Sequence, residues 1–216
     1  MGEKTAQERA KELIDYCYRH LTYNHKNKFD KIDFDEVLYR IFYYDCPPCD
    51  KKIYHPLKKK QVNFAKSDLY TWMSNFLEAL KCQRKVALRM GSLSESSAHY
   101  NIRYEILKQI FNGSKKIEDL SEFDFELHME QKGVDMKIGI DIASLAYKKQ
   151  VDRIILISGD SDFVPAAKLA RREGIDFILD SMHHPIKQDL YEHIDGLRSC
   201  VRKCNSQKDK FVSLDS

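Results

Sequence analysis

The sequence predicts an α/β fold: three layers, α/β/α, built on a mostly parallel central sheet. Three observations predict it. Ile154-Ile155-Leu156-Ile157 is a run of four apolar, mostly β-branched residues, as in a strand buried on both faces. The run enters a short turn, Ser158-Gly159-Asp160-Ser161-Asp162, and then a helical pattern through Ala166, Ala167, Leu169 and Ala170, the order of a parallel βα unit. The same alternation of strand-like and helix-like segments recurs along the chain, with no internal repeat, Gly/Ser/Pro linker or low-complexity tract.

Taken in order, Thr5 to Tyr23 reads as an amphipathic helix, with Ala6, Ala10, Leu13, Ile14, Cys17 and Leu21 on one face. Glu36 to Tyr44 reads as a strand, stopped by Pro47-Pro48. Ile53 to Ala65 reads as a basic loop. Ser67 is a fitting N-cap for a helix over Asp68 to Lys81. Lys85 to Met90 is a short strand ending at Gly91, Ser94 to His99 a polar loop, and Ile102 to Phe111 a short helix ended by Asn112-Gly113. Phe123 to Met129 alternates as a strand does. Val134 to Lys149 is a helix with Met136, Ile140, Ala143 and Tyr147 along one stripe. The Ile154 strand and a helix from Val164 follow, then a strand over Asp176 to Leu179 and a last helix from about Pro185 to Leu197. One domain over residues 1–206 is the simplest reading, with residues 207–216 as a flexible carboxyl-terminal tail.

With 216 residues, 43% of them apolar and 32% charged, the chain is long enough for one α/β domain with a real core. No apolar run approaches the ~20 residues needed to span a bilayer, and the polar, charged stretch from Met1 to Lys11 is no signal peptide. A cytoplasmic protein with no membrane partner is expected. The six cysteines are then expected to be reduced and unpaired. Cys46 and Cys49 in C-x-x-C spacing, with Cys200 and Cys204, form the alternative of a four-thiolate zinc site.

The acids carry the chemistry. Asp160 and Asp162 sit at the carboxyl end of a predicted central strand, where open α/β sheets place their ligands. Two carboxylates held that close repel unless a cation lies between them, and oxygen-only ligands favour Mg²⁺ or Mn²⁺. The bland alternative is an Asp capping the next helix, helped by the helix dipole. Asp135 opens the helix that follows Lys132-Gly133-Val134. Asp141, six residues on, lies about 240° around an ideal helix from it. The two cannot share a face, so Asp141 is the weaker candidate, structural or second to the site.

Net charge is only +3, but lysines are unevenly placed: Lys51, Lys52, Lys58, Lys59 and Lys60 crowd one segment. Such a loop suits a phosphodiester backbone; the commoner alternative is a solvated surface. His183-His184 reads as a loop pair, and Trp72 with the many tyrosines reads as core or helix face.

Lys132-Gly133-Val134-Asp135 with Asp141, followed by Leu156-Ile157-Ser158-Gly159-Asp160-Ser161-Asp162-Phe163, resembles the NYN domain, the LabA-like branch of the PIN-like nuclease fold. Phe42-Tyr43-Tyr44-Asp45 before the prolines, Leu88-Arg89-Met90-Gly91-Ser92-Leu93 and Gly174-Ile175 extend the likeness over most of residues 30–197. The resemblance implies a Mg²⁺- or Mn²⁺-dependent nuclease, acting on RNA with DNA as an alternative, whose acids activate a water for attack on phosphorus. Carried over residue by residue, it implies Asp135, Asp160 and Asp162 as metal ligands, and Ser158 as a hydroxyl contributor to the catalytic set.

One departure accompanies it. Family members open with a hydrophobic strand ending in an acid, whereas Met1-Gly2-Glu3-Lys4-Thr5 leads straight into the first helix. Three readings stay open: the start lies further upstream, another strand or a partner chain (a second copy included) completes the sheet, or the protein is a catalytically inactive module for nucleic-acid binding or assembly.

Overall fold

A computed structural model describes residues 4–22, 33–94, 98–158 and 160–200. The expected tail from residue 207 and Cys204 lie outside the described residues. The chain divides into two compact units, Met1–Cys17 with Ile32–Ile140, and Tyr18–Lys31 with Asp141–Ser216. Helix α1 (Ala6–Thr22) opens the chain. Thr5 and Glu8 cap it reciprocally: Thr5 N–H donates to Glu8 Oε2 at 2.8 Å and Glu8 N–H donates to Thr5 Oγ1 at 3.2 Å. Ala6, Ala10 and Ile14, one turn apart, are its buried stripe.

The first unit is built on a β-α-β step. Strand β1 (Ile41–Asp45) pairs in parallel with β4 (Val86–Met90), from Ile41 opposite Val86 to Asp45 opposite Met90. Between them runs helix α3 (Asp68–Lys81), capped by Ser67, whose hydroxyl accepts the Tyr70 N–H at 3.1 Å. Phe76 and Leu80 of α3 are buried, and Tyr43 of β1 meets the Phe76 ring edge-on at 5.8 Å. That helix begins and ends where its sequence signals say.

Three antiparallel pairs complete the unit. Strands β2 (Lys52–His55) and β3 (Lys60–Asn63) form a hairpin. Strands β5 (Ser92–Leu93) and β8 (Gln131–Lys132) pair briefly, and β6 (His99–Ile102) pairs with β7 (Phe125–His128). Helix α4 (Tyr104–Phe111) lies between β6 and β7 in sequence.

Two expectations fail here. The strand expected from Glu36 instead opens with a single helical turn, α2 (Phe34–Val37), because the Asp33 carbonyl accepts the N–H groups of Glu36 and Val37 at 3.1 and 3.2 Å. The basic loop expected over Ile53–Ala65 is the β2–β3 hairpin followed by a 3-10 turn at Phe64–Lys66. Its period of two is present in the burial of Ile53 and His55 between exposed Lys52 and Tyr54, but the lysines hide it from a polarity count.

Helix α5 (Val134–Tyr147) starts after Gly133, whose φ of +81° is left-handed backbone that glycine adopts without Cβ strain. The stripe expected on it is wrong. Met136, Ile140 and Tyr147 are 71%, 59% and 58% exposed, and the buried residues are Ile138, Ile142, Leu145 and Ala146. Apolar residues occur on more than one face of the helix, so its periodicity offers two stripes, and packing buries the other one.

In the second unit, β9 (Arg153–Ile157), β10 (Asp176–Asp180) and β11 (Gly196–Leu197) form a three-stranded parallel sheet in the order β11-β10-β9. Helix α6 (Val164–Arg172) buries Val164, Ala167 and Ala170, the last two fully. Phe177, Leu179 and Leu190 fill the core. The last helix is far shorter than expected: α7 covers only Gln188–Glu192. Asp195 explains the change, because it clasps β10 twice. Its N–H donates to the Phe177 carbonyl and its carboxylate accepts the Phe177 N–H, both at 2.8 Å, which draws Gly196 and Leu197 into the sheet.

Helices and strands alternate as an α/β protein requires. The described strands fall into five small sheets, parallel in β1–β4 and β9–β10–β11 and antiparallel in the rest. No helix among the described residues is long and apolar enough to cross a membrane.

Candidate functional site

Strand β9 delivers the acid loop. Its last residue, Ile157, is paired with Asp180 at the end of β10, and the next N–H, that of Ser158, donates to the Asp180 carbonyl at 3.0 Å. The parallel pairing therefore runs one residue past the strand before the chain turns away. The turn braces itself. Ser158 Oγ accepts the Asp160 N–H at 3.1 Å, and Asp160 Oδ1 accepts the Asp162 N–H at 3.0 Å. Each side-chain oxygen thus takes the backbone N–H two residues on, the habit of Ser and Asp in turns.

A 3-10 turn, Ser161–Phe163, leads into α6. Phe163 and Val164 are buried and anchor the far side of the loop, while Asp160 and Asp162 are exposed. The N-cap of α6 is Phe163, without a side-chain cap bond. The helix-cap alternative therefore fits neither acid at α6 itself but does fit Asp160 at the 3-10 turn that leads into it, whose Asp162 N–H its carboxylate accepts. Asp160 shapes the 3-10 turn, and Asp162 lies in its first turn.

Beneath the loop lies a pair the sequence did not disclose. Asp180 is fully buried and His20 is 3% exposed, and His20 Nε2 lies 2.9 Å from Asp180 Oδ2. Asp180 Oδ1 accepts the Met182 N–H at 2.7 Å. Burial pushes the His20 imidazole below its ordinary pKa, against the upward pull of the Asp180 carboxylate. Asp180 thus ties α1 and the turn after β10 through its carboxylate, and the start of the Ser158 turn through its backbone carbonyl. Met182 and His183 in that second turn are left-handed, at φ 50° and 66°, and the Asp180 bond holds this strained backbone. A carboxylate closing an apolar strand was a visible signal that a partner exists; nothing local pointed to a histidine 160 residues away. His183 and His184 are exposed loop residues, as expected.

In the first unit, Asp135 is exposed in the first turn of α5. The neighbouring Lys137 donates to the Met90 carbonyl at 2.6 Å, and the Lys137 N–H to the Gly133 carbonyl at 3.2 Å, which fixes the start of the helix. Asp141 is half-buried further along α5.

Of the five lysines, Lys52 and Lys60 lie on the hairpin strands, Lys58 and Lys59 in its turn, and Lys51 just before it. Lys51, Lys52, Lys59 and Lys60 are exposed. Lys58 is ion-paired with Glu122, so its charge is already partly met.

The donor chemistry of Asp160 and Asp162 fits a hard divalent cation, being oxygen alone. Among the described residues, no group of three or more His, Cys, Asp and Glu side chains is gathered to hold a metal. The four-thiolate alternative through Cys46, Cys49, Cys200 and Cys204 falls partly outside the described residues, where Cys204 lies. Cys17, Cys46, Cys49, Cys82 and Cys200 are free thiols. Burial pushes Cys17 up to about 11 and raises Cys46 as well, so neither offers a thiolate nucleophile at neutral pH.

A family model described as NYN domain matches residues 52–193. No curated protein and no solved structure matches the chain. The matched span contains every candidate acid and every candidate lysine except Lys51.

Proposed function

The chain belongs to the NYN domain family, and from that premise we propose that it is a metal-dependent ribonuclease hydrolysing phosphodiester bonds. The observation that carries the reading is the self-braced loop after β9, with two exposed carboxylates beyond the half-buried end of the strand. Asp160 and Asp162 are the proposed ligands of Mg²⁺ or Mn²⁺, with Asp135 as a third acid by its place in the motif order alone. A bound cation there would lower the pKa of a water and offset charge on the phosphate.

The protein's own part is positioning. Ser158 accepts the Asp160 N–H and keeps a hydroxyl proton to donate to a substrate oxygen. The bond from the Asp162 N–H to Asp160 Oδ1 fixes the Asp160 carboxylate on the turn, so less ordering of that side chain is left for substrate binding. The finer expectation of three layers around one mostly parallel sheet, and a cytoplasmic location, belong to this proposal too.

The second reading is a binding module that does not cut. It draws support from the lack of a three-ligand group among the described residues. Cleavage assays on single-stranded RNA and DNA with Mn²⁺ or Mg²⁺, paired with binding assays on the same strands, separate the two. For the nuclease, Asp160→Asn and Asp162→Asn each lower metal-dependent cleavage at least ~100-fold, at unchanged or higher melting temperature because like-charge repulsion falls. Binding without cleavage by the unaltered protein establishes the second reading instead.

A further inference from the structure

The β6–β7 hairpin of the first unit presents a two-histidine face that the nuclease reading leaves unused. In this antiparallel pair His99 stands directly opposite His128. Alternation places Tyr100, Ile102, Phe125 and Leu127 on the half-buried face, and His99, Asn101, Glu126 and His128 on the exposed one. The half-buried face is anchored by rings, since His55 lies 4.4 Å from Tyr100 and 5.3 Å from Phe125 between centroids. The exposed histidines are therefore carried by strands held from below.

Their separation is the informative number. The two imidazole centroids are 5.2 Å apart, with ring planes inclined by 50°. A zinc–imidazole bond is about 2.0–2.1 Å, which puts each ring centre about 3.2 Å from the metal. Two such rings subtending a tetrahedral angle have centres about 5.2 Å apart, and at a right angle about 4.5 Å. The observed spacing leaves room for one cation between the two rings at the tetrahedral angle, and imidazole donors suit zinc.

We propose that His99 and His128 form a two-imidazole zinc site, with solvent completing the coordination. Glu126 stands on the same exposed face of β7. The site differs in chemistry from the acid loop: nitrogen donors favour zinc, whereas the carboxylates favour Mg²⁺ or Mn²⁺. Zinc here clips together the ends of the segment between residues 99 and 128, which carries α4. The unfolded chain separates the two histidines, so zinc binds the folded form preferentially and stabilises it.

The test is calorimetric titration of Zn²⁺ into the full chain and into His99→Gln, His128→Gln and the double variant, with melting temperatures taken with and without Zn²⁺. Each single variant loses at least about tenfold in affinity at one site, and the double variant loses no more, because a chelate fails when either arm goes. The part of the Zn²⁺-induced rise in melting temperature that depends on this site disappears in all three variants. Zinc bound by cysteines is common to the four proteins and cancels in the comparison, and each shift is read against the same variant without metal. Isotherms and shifts that agree across all four proteins overturn the site. A loss confined to one of the two single variants also overturns it, since that marks an isolated imidazole.

Discussion

At the scale of single residues, Asp124 is a carboxylate held ionised by its neighbours. It accepts hydrogen bonds from Lys115 Nζ at 2.8 Å, from the Ser121 N–H at 2.6 Å and from the Ser121 hydroxyl at 2.9 Å. Its residue is 7% exposed. The Lys115 ammonium first, then the Ser121 backbone, hold its carboxyl down at about 2. A carboxylate whose pKa is lowered on folding contributes stability above its unfolded pKa, about 3.9, and loses it as pH falls through the folded value. Asp124→Asn is therefore less stable than the unaltered protein at pH 7. The gap between their melting temperatures narrows below pH ~4 and has lost most of its size by pH ~2. Circular-dichroism melts across that range check this, and a gap that persists undiminished at pH ~2 would show that the ion pair is not its source. His20 behaves differently, being pushed down by burial, so its contribution is present above the unfolded pKa of about 6.5 and fades on acidification.

At the scale of elements, close packing and charge each make a prediction. Gly91 joins β4 to β5, and a Cβ there would lie 2.7 Å from both the Lys132 carbonyl oxygen and the Val134 Cγ2. The carbonyl is backbone and cannot swing away, so Gly91→Ala is expected to cost about 1–3 kcal/mol in chemical denaturation. A cost below ~0.5 kcal/mol would mean the β5–β8 pairing is soft. On the β2–β3 hairpin, Lys58 is met by Glu122, which leaves Lys52, Lys59 and Lys60 as the better phosphate partners. Replacing these three with Gln should lower the log–log salt slope of single-strand binding by about 0.7 for each phosphate that is no longer neutralised. A slope that does not move reduces the hairpin to solvated surface. Legibility at this scale follows the strength of the local signal. The helix over Asp68–Lys81 is legible to the residue because the Ser67 cap marks its start. The hairpin is hidden because its alternation runs through lysines, and β11 because a single long-range clasp, Asp195 on Phe177, overrides helical propensity.

At the scale of the whole molecule, the acid loop is legible because everything that builds it is local. The strand, the turn and the helix are contiguous, and the Ser158–Asp160–Asp162 chain of hydrogen bonds spans five residues. The buried His20–Asp180 pair is not legible, since no period or spacing connects positions so far apart. The same boundary between local and distant holds for sheet edges. The sequence marks β9 as apolar on both faces, and only the topology says what it pairs with: among the described residues, β10 alone. Within its three-stranded sheet, Ile154, Ile155, Leu156 and Ile157 thus have a strand partner on one side. Arg153, ion-paired with Asp176 at the amino end, is the one charge on the strand. Apolar edges of this kind pair with further strands unless charge or a bulge blunts them. Reversible association of the 216-residue chain, growing between about 1 and about 100 µM, is therefore expected in sedimentation velocity. It should persist at high salt, because backbone pairing and apolar burial drive it rather than charge. A sedimentation coefficient that stays at the monomer value throughout would mean that the β9 edge is covered within the chain itself.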